Sequence, residues 1–216
     1  MSASMPQKQE RLERILRMAP VVAVVTIDDA GVAVALAQAL LDGGIGALEI
    51  TLRTPAALDA IRAIAQANPL AAVGAGTVLS AADLDAAAVA GAQFAVSPGA
   101  SPALFDAADA SALPLLPGAA TAGEAMTLAE RGYRLQKFFP AEPAGGVEYL
   151  RALAGPLPHI RFCPTGGIRV DNAAAYLRLP NVLCVGGSWL TPSALVRAQD
   201  WPAITVLARA AAALRN

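Results

Sequence analysis

The chain has 216 residues, of which 56% are hydrophobic and 15% charged, with a formal net charge of −1. That length fits one domain of roughly 200–250 residues. The charge balance excludes a basic nucleic-acid surface. The apolar balance raises a membrane helix, which needs about 20 predominantly apolar residues. The longest uncharged run, Ala86 to Phe105, is interrupted by Gly91, Pro98, Gly99 and Pro102 and reads as helix end, strand and turn. No secretory h-region or cleavage site opens the chain. Two cysteines, Cys163 and Cys184, are too few for a disulfide framework, so reduced thiols in a cytoplasmic protein are expected.

In chain order, residues 1–6 are expected to be disordered. Residues 7–18 place Leu12, Ile15 and Leu16 on one face of a short helix. PVVAVV (20–25) is a continuous β-branched run, the pattern of a strand buried on both faces. A helix follows over 32–41, with Gly43–Gly44 as its stop. The second strand is ALEITL (47–52), and Thr54–Pro55 opens a helix to about residue 67. LAAVGAG (70–76), QFAVSPG (93–99) and LPLLPGA (113–119) are the next three strands, with helices started by Ser80, Ser101 and Thr121. Thr121 with Glu124 makes a capping box. YRLQKFFP (133–140), IRFCPTGG (160–167) and VLCVGGSW (182–189) complete the strands, with helices over 146–154, 172–179 and 204–214.

Eight strand–helix units at this spacing predict an α/β fold: a single-domain (β/α)8 TIM barrel over 1–216, with residues 1–18 as N-terminal tail and helix. An open doubly wound sheet is the alternative.

In such barrels chemistry sits at the C-terminal ends of the strands. The chain holds only two lysines, Lys8 and Lys137. Lys8 falls in the polar N-terminal segment, which leaves Lys137 as the lysine in the body of the chain, flanked by Leu135–Gln136 and Phe138–Phe139. A buried ammonium is costly unless paired or neutral. Lys137 is therefore either a nucleophile or a strand-end lysine that snorkels to water. Period-two alternation puts Glu49, Thr51 and Arg53 on one face of the second strand. Such a pair is either a structural ion pair or a site with Glu49 as acid/base and Arg53 as a carboxylate clamp. GAGT (74–77) fails as a dinucleotide fingerprint because Leu79 stands where the third glycine belongs; it reads as a tight turn with the Thr77 hydroxyl. PTGGI (164–168) and VGGSW (185–189) end the last two strands, where barrels frequently bind phosphate. The single histidine, His159, precedes its strand at the opposite end and reads as structural. No cluster has metal-ligand spacing, and neither a metal nor a cofactor is expected.

LEITLRTP (48–55), VGAGTVL (73–79), FAVSPG (94–99), KFFPAE (137–142), RFCPTGGI (161–168) and CVGGSWL (184–190) together closely resemble the 2-dehydro-3-deoxy-6-phosphogluconate (KDPG) aldolase family, which includes the bifunctional 4-hydroxy-2-oxoglutarate (KHG) aldolases. The resemblance covers about residues 10–210. It implies a class I, Schiff-base aldolase of the Entner–Doudoroff pathway built as a homotrimer, acting on a phosphorylated 2-keto-3-deoxy sugar acid. By that resemblance Lys137 forms the imine and Glu49 is the acid/base. Arg53 and Thr77 hold the pyruvate carboxylate, Pro98 and Phe139 shape the pocket, and Thr165 sets aldehyde stereochemistry. Gly166, Gly167, Gly186, Gly187 and Ser188 align with the phosphate loops. One departure is Thr26-Ile27-Asp28-Asp29, where many relatives carry a basic residue. The alternatives are a sister specificity (the 6-phosphogalactonate analogue or KHG), a phosphosugar isomerase or epimerase barrel, and a catalytically silent phosphate-binding barrel.

Overall fold

The computed structural model describes residues 3–215. Helix α1 (Met5–Leu16) precedes strand β1 (Val21–Val25), and strands and helices then alternate. The expected disorder does not extend to residues 3–6. Ser4 caps α1, with its N–H donating to Gln7 Oε1 at 2.9 Å, and Met5 and Pro6 are already helical. Residues 1 and 2 lie outside the described residues.

All described strand pairs are parallel. One sheet joins β1 to β2 (Ala47–Thr51), β3 (Ala72–Gly76), β4 (Ala95–Val96) and β5 (Leu115–Leu116), with β9 (Val185–Gly187) on the other side of β1. A second sheet joins β6 (Gly118–Ala119), β7 (Leu135–Phe138) and β8 (Arg161–Pro164). The fifth expected strand is thus two pieces, because Pro117 between them has no N–H for the ladder. Its carbonyl still accepts from Lys137 N–H at 2.8 Å. Between β8 and β9, bridges pair Phe162 with Val182 and Thr165 with Gly186.

The core divides by strand parity. Val21, Ala23, Val25, Leu48, Ile50, Val73, Ala75, Phe138 and Phe162 join one large cluster that includes the helices. Val22, Ala47, Ala72, Phe94, Val96, Leu116, Leu135, Cys163 and Cys184 form a second cluster with Leu12, Ile15 and Leu16 of α1. The two faces of each strand therefore feed different cores, as alternation requires. Helix α1 is held over the start of β7, where Gln9 Oε1 accepts from the N–H groups of Arg134 and Leu135, each at 2.9 Å. Each buried Leu or Ile of α1 contributes about 1.5–3 kcal/mol of transfer free energy.

Lys8, though in the polar N-terminal segment, is buried with the body of the chain: it is 4% exposed, and its ammonium donates to the carbonyls of Ala108 and Asp109, both at 2.9 Å. Those carbonyls lie at the end of helix α5 (Pro102–Ala110), where a cation offsets the helix dipole. Desolvation holds the Lys8 amine below its usual range, against the opposing field of Asp109. The helix expected over 204–214 is α10 (Trp201–Ala212), capped by Asp200, and a helix that was not expected, α9 (Ser193–Ala198), precedes it and ends where Gln199 takes a left-handed conformation.

Candidate active site

Lys137 sits on β7 two residues beyond Leu135 and shares its inward face, while Phe138 turns outward onto Tyr149 with ring centroids 5.7 Å apart. Glu49 is the middle residue of β2. The strands belong to different sheets, yet Lys137 Nζ lies 3.3 Å from Glu49 Oε1, and the two side chains are 6% and 4% exposed. The two sheets therefore curl toward each other, and this ion pair bridges the interior. Two desolvated charges are tolerated only when paired. Nζ also stands 5.1 Å from the centre of the Phe139 ring, within cation–π range.

Two glycines create the space for Glu49 and its neighbours. A Cβ on Gly76 would overlap the Glu49 carboxylate, and one on Gly74 would meet the Phe94 ring at 2.5 Å. GAGT is therefore not a turn along its length. Both glycines lie in β3, two residues apart on one face, and the turn begins at Thr77. Thr77 has φ 60°, a left-handed conformation that a β-branched residue seldom adopts and that costs roughly 1–3 kcal/mol. The outcome is a specific contact: Arg53 Nε donates to Thr77 Oγ1 at 3.3 Å. Arg53 itself lies past the end of β2, exposed at the rim.

Arg53 and Phe139 border a cavity of about 200 Å³. Arg53, Phe139, Thr165, Gly166, Gly167, Gly186 and Ser188 line it, with Val24, Thr26 and Ile168. The expected carboxylate clamp and much of the two glycine-rich loops thus share one concavity. Lys137 and Glu49 are buried outside its lining, and Phe139, which does line it, lies against Lys137 Nζ. Thr165 is buried, and a Cβ on Gly186 would overlap its hydroxyl. Gly166 and Gly167 take φ values of +98° and +80°, so both need glycine's freedom.

Of the expected residues, Lys137, Glu49, Thr77, Pro98 and Gly187 do not line this cavity. Pro98 packs its carbonyl against Gly118, where a Cβ would overlap it, and Gly118 pairs with Lys137 in register. Gly187 faces the Trp189 ring, which would collide with a side chain there. His159 lies near the start of β8, in a groove with residues of α1, at the other end of the strands. Among the lining residues, Val24 and Thr26 were legible by parity: both follow Val22 on the inward face of β1, and Val24 pairs with Glu49. Thr26 Oγ1 is 3.0 Å from Thr51 Oγ1. Among the described residues, no group of His, Cys, Asp and Glu could hold a metal ion.

The sequence model described as KDPG and KHG aldolase matches residues 12–207. The chain belongs to the KDPG and KHG aldolase family. It is 51% identical over 199 residues to a 2-dehydro-3-deoxy-phosphogluconate aldolase of Pseudoalteromonas atlantica, covering 92% of this chain and 93% of the relative. A KHG/KDPG aldolase of Escherichia coli has the same identity and the same coverage of each chain. Among solved structures, a KDPG aldolase of Legionella pneumophila superimposes with a TM-score of 0.91 at 42% identity, covering 93% of this chain and 98% of that one. It holds pyruvate captured at low pH as a covalent carbinolamine intermediate.

Proposed function

We propose that this chain is a class I aldolase that cleaves KDPG to pyruvate and glyceraldehyde 3-phosphate in the Entner–Doudoroff pathway, with Lys137 as its nucleophile. The observation that carries the reading is the buried contact between the Lys137 ammonium and the Glu49 carboxylate, 3.3 Å apart. Movement of one proton from Nζ to Oε1 gives a neutral amine beside a neutral acid. The amine attacks the C2 ketone of the substrate to give a carbinolamine. Glu49 returns the proton to the departing oxygen, so that water leaves and an iminium remains. The iminium draws electrons as the C3–C4 bond breaks, while Glu49 takes the proton of the C4 hydroxyl. Glyceraldehyde 3-phosphate departs. Glu49 then protonates the enamine carbon, and water hydrolyses the iminium to free pyruvate and the amine.

The other residues bind. Arg53, steadied by Thr77, holds the pyruvate carboxylate, and Phe139 and Pro98 shape the space around the imine. Thr165 faces the aldehyde portion. Gly166, Gly167, Gly186, Gly187 and Ser188 supply the backbone and hydroxyl that receive the phosphate.

KHG is a second reading for the substrate, favoured by the E. coli relative, which is named for both activities. A substrate panel tests the assignment. KDPG should be cleaved with the highest kcat/KM, KHG more slowly, and the 6-phosphogalactonate analogue poorly. Isomerisation or epimerisation of a phosphosugar without pyruvate release would overturn it.

We further infer that the strands close into a (β/α)8 barrel as a single aldolase domain. Support comes from the single residue, Pro117, between β5 and β6 and from the bridges of β8 to β9. The family resemblance supports a homotrimer, for which light scattering should give three times the chain mass. A cytoplasmic location accords with Cys163 and Cys184, which are both buried and form no disulfide. No described helix is long and apolar enough to cross a membrane.

A further inference from the structure

The segment carrying Lys137 continues through Phe139, Pro140 and Ala141 to Glu142, which the proposed chemistry does not use. Its backbone runs beside the turn that follows β8. Ala141 N–H donates to the Thr165 carbonyl at 2.8 Å, and Glu142 N–H donates to the Gly166 carbonyl at 3.0 Å. The Glu142 side chain then lies against Gly167, where a Cβ would stand 2.6 Å from Glu142 Cγ.

The carboxylate is held from its far side. The Tyr176 hydroxyl donates to Glu142 Oε1, and the Tyr176 ring is fully buried in helix α8 (Ala173–Leu177). Burial pushes the Tyr176 hydroxyl well above the usual phenol range, and the Glu142 carboxylate pushes it further. The hydroxyl therefore keeps its proton and remains a donor. A hydrogen bond to an ionised acceptor is roughly twice as strong as a neutral one.

The opposite flank of the turn is tied as well. Asn172 Nδ2 donates to the Gly167 carbonyl at 3.1 Å, and Asn172 Oδ1 accepts from Arg169 N–H at 2.8 Å. The carbonyls of Thr165, Gly166 and Gly167 are thus all taken up by neighbours, which fixes the orientation of the turn's peptide groups.

We propose that Glu142, locked by Tyr176, is a positioning residue that sets the Thr165–Gly167 turn to receive the substrate's phosphate. This rests on the reading of that turn as part of the phosphate site. Glu142 does not touch the reacting atoms; it acts through the backbone it supports.

The test compares Tyr176→Phe, Glu142→Ala and Glu142→Gln with the unaltered protein, using KDPG and the phosphate-free KHG. Tyr176→Phe removes one oxygen and keeps the buried ring, so the fold is retained. Tyr176→Phe and Glu142→Ala should each raise KM for KDPG at least ~5-fold. The kcat, and both constants for KHG, should stay within ~2-fold. Amide hydrogen exchange should accelerate across residues 165–168. Glu142→Gln keeps an oxygen acceptor for the hydroxyl and should restore most of the KM. Equal losses on both substrates, or unchanged KM with unchanged exchange, would overturn the proposal. Equal KM values for KDPG and KHG in the unaltered protein would overturn the phosphate reading instead, and exchange at 165–168 would then decide whether the brace exists.

Discussion

Gly76 and Glu49 share one space: a single methyl group at residue 76 would overlap the carboxylate that faces Lys137. The position of the Glu49 carboxylate is therefore set by the absence of a side chain on the next strand. Gly76→Ala should push Glu49 off the 3.3 Å contact while leaving the outer core of β3 (Val73, Ala75) untouched. A misplacement of about 1 Å costs roughly 100-fold in rate, so kcat should fall by about that factor with the far-ultraviolet circular dichroism unchanged. A kcat within 2-fold of the unaltered protein would show that Glu49 is not held by Gly76.

Lys137→Ala should abolish turnover, and it should also weaken the fold. It strands the Glu49 carboxylate in a site where that side chain is 4% exposed. Breaking a buried pair costs about 3–5 kcal/mol, whereas replacing both partners by apolar groups is often neutral. The double variant Lys137→Met, Glu49→Met should therefore be inactive yet unfold near the urea midpoint of the unaltered protein. Equal destabilisation of the single and double variants would argue against the pair as the source of the cost.

Much of this site was legible because parallel strands alternate so regularly. Parity placed Lys137 with Leu135 and against Phe138, and the two clusters do separate Leu135 from Phe138. Capping was equally readable: Ser80, Ser101 and Thr121 each accept from the backbone three residues on. What escaped was decided by tertiary contact. Nothing local distinguishes Lys8 from a solvated lysine; its carbonyl partners lie at residues 108 and 109. Pro117 looks like part of a strand until the missing N–H divides the ladder. Gly74 and Gly76 resemble a turn in sequence, and only the Phe94 ring and the Glu49 carboxylate explain them as strand residues. Glu142 carried no signal without Tyr176, 34 residues away.

Arg53→Lys tests the carboxylate clamp. Lysine keeps the charge but offers no planar fork for a bidentate contact and no Nε for Thr77 Oγ1. KM for KDPG should rise at least ~10-fold, the loss of one charge-assisted hydrogen bond of about 1.5–3 kcal/mol. KHG, with the same pyruvate end, should suffer equally. A loss confined to KDPG would place Arg53 at the phosphate instead.

Gly186→Ala tests the link between the two glycine-rich loops. The new methyl would overlap the Thr165 hydroxyl, and Thr165 pairs with Gly186 across β8 and β9. In the synthesis direction, the ratio of the two C4 epimers formed from pyruvate and glyceraldehyde 3-phosphate should fall toward equal amounts. An unchanged ratio, with the protein folded, would remove Thr165 from control of the aldehyde face.

The central claim is that Lys137 is the imine-forming amine, and borohydride reduction in the presence of pyruvate tests it most directly. The reduced adduct, located by peptide mass spectrometry, should fall on the peptide containing Lys137 and be lost in Lys137→Ala. No adduct, or one confined to Lys8 or the N-terminal amine, would contradict the account.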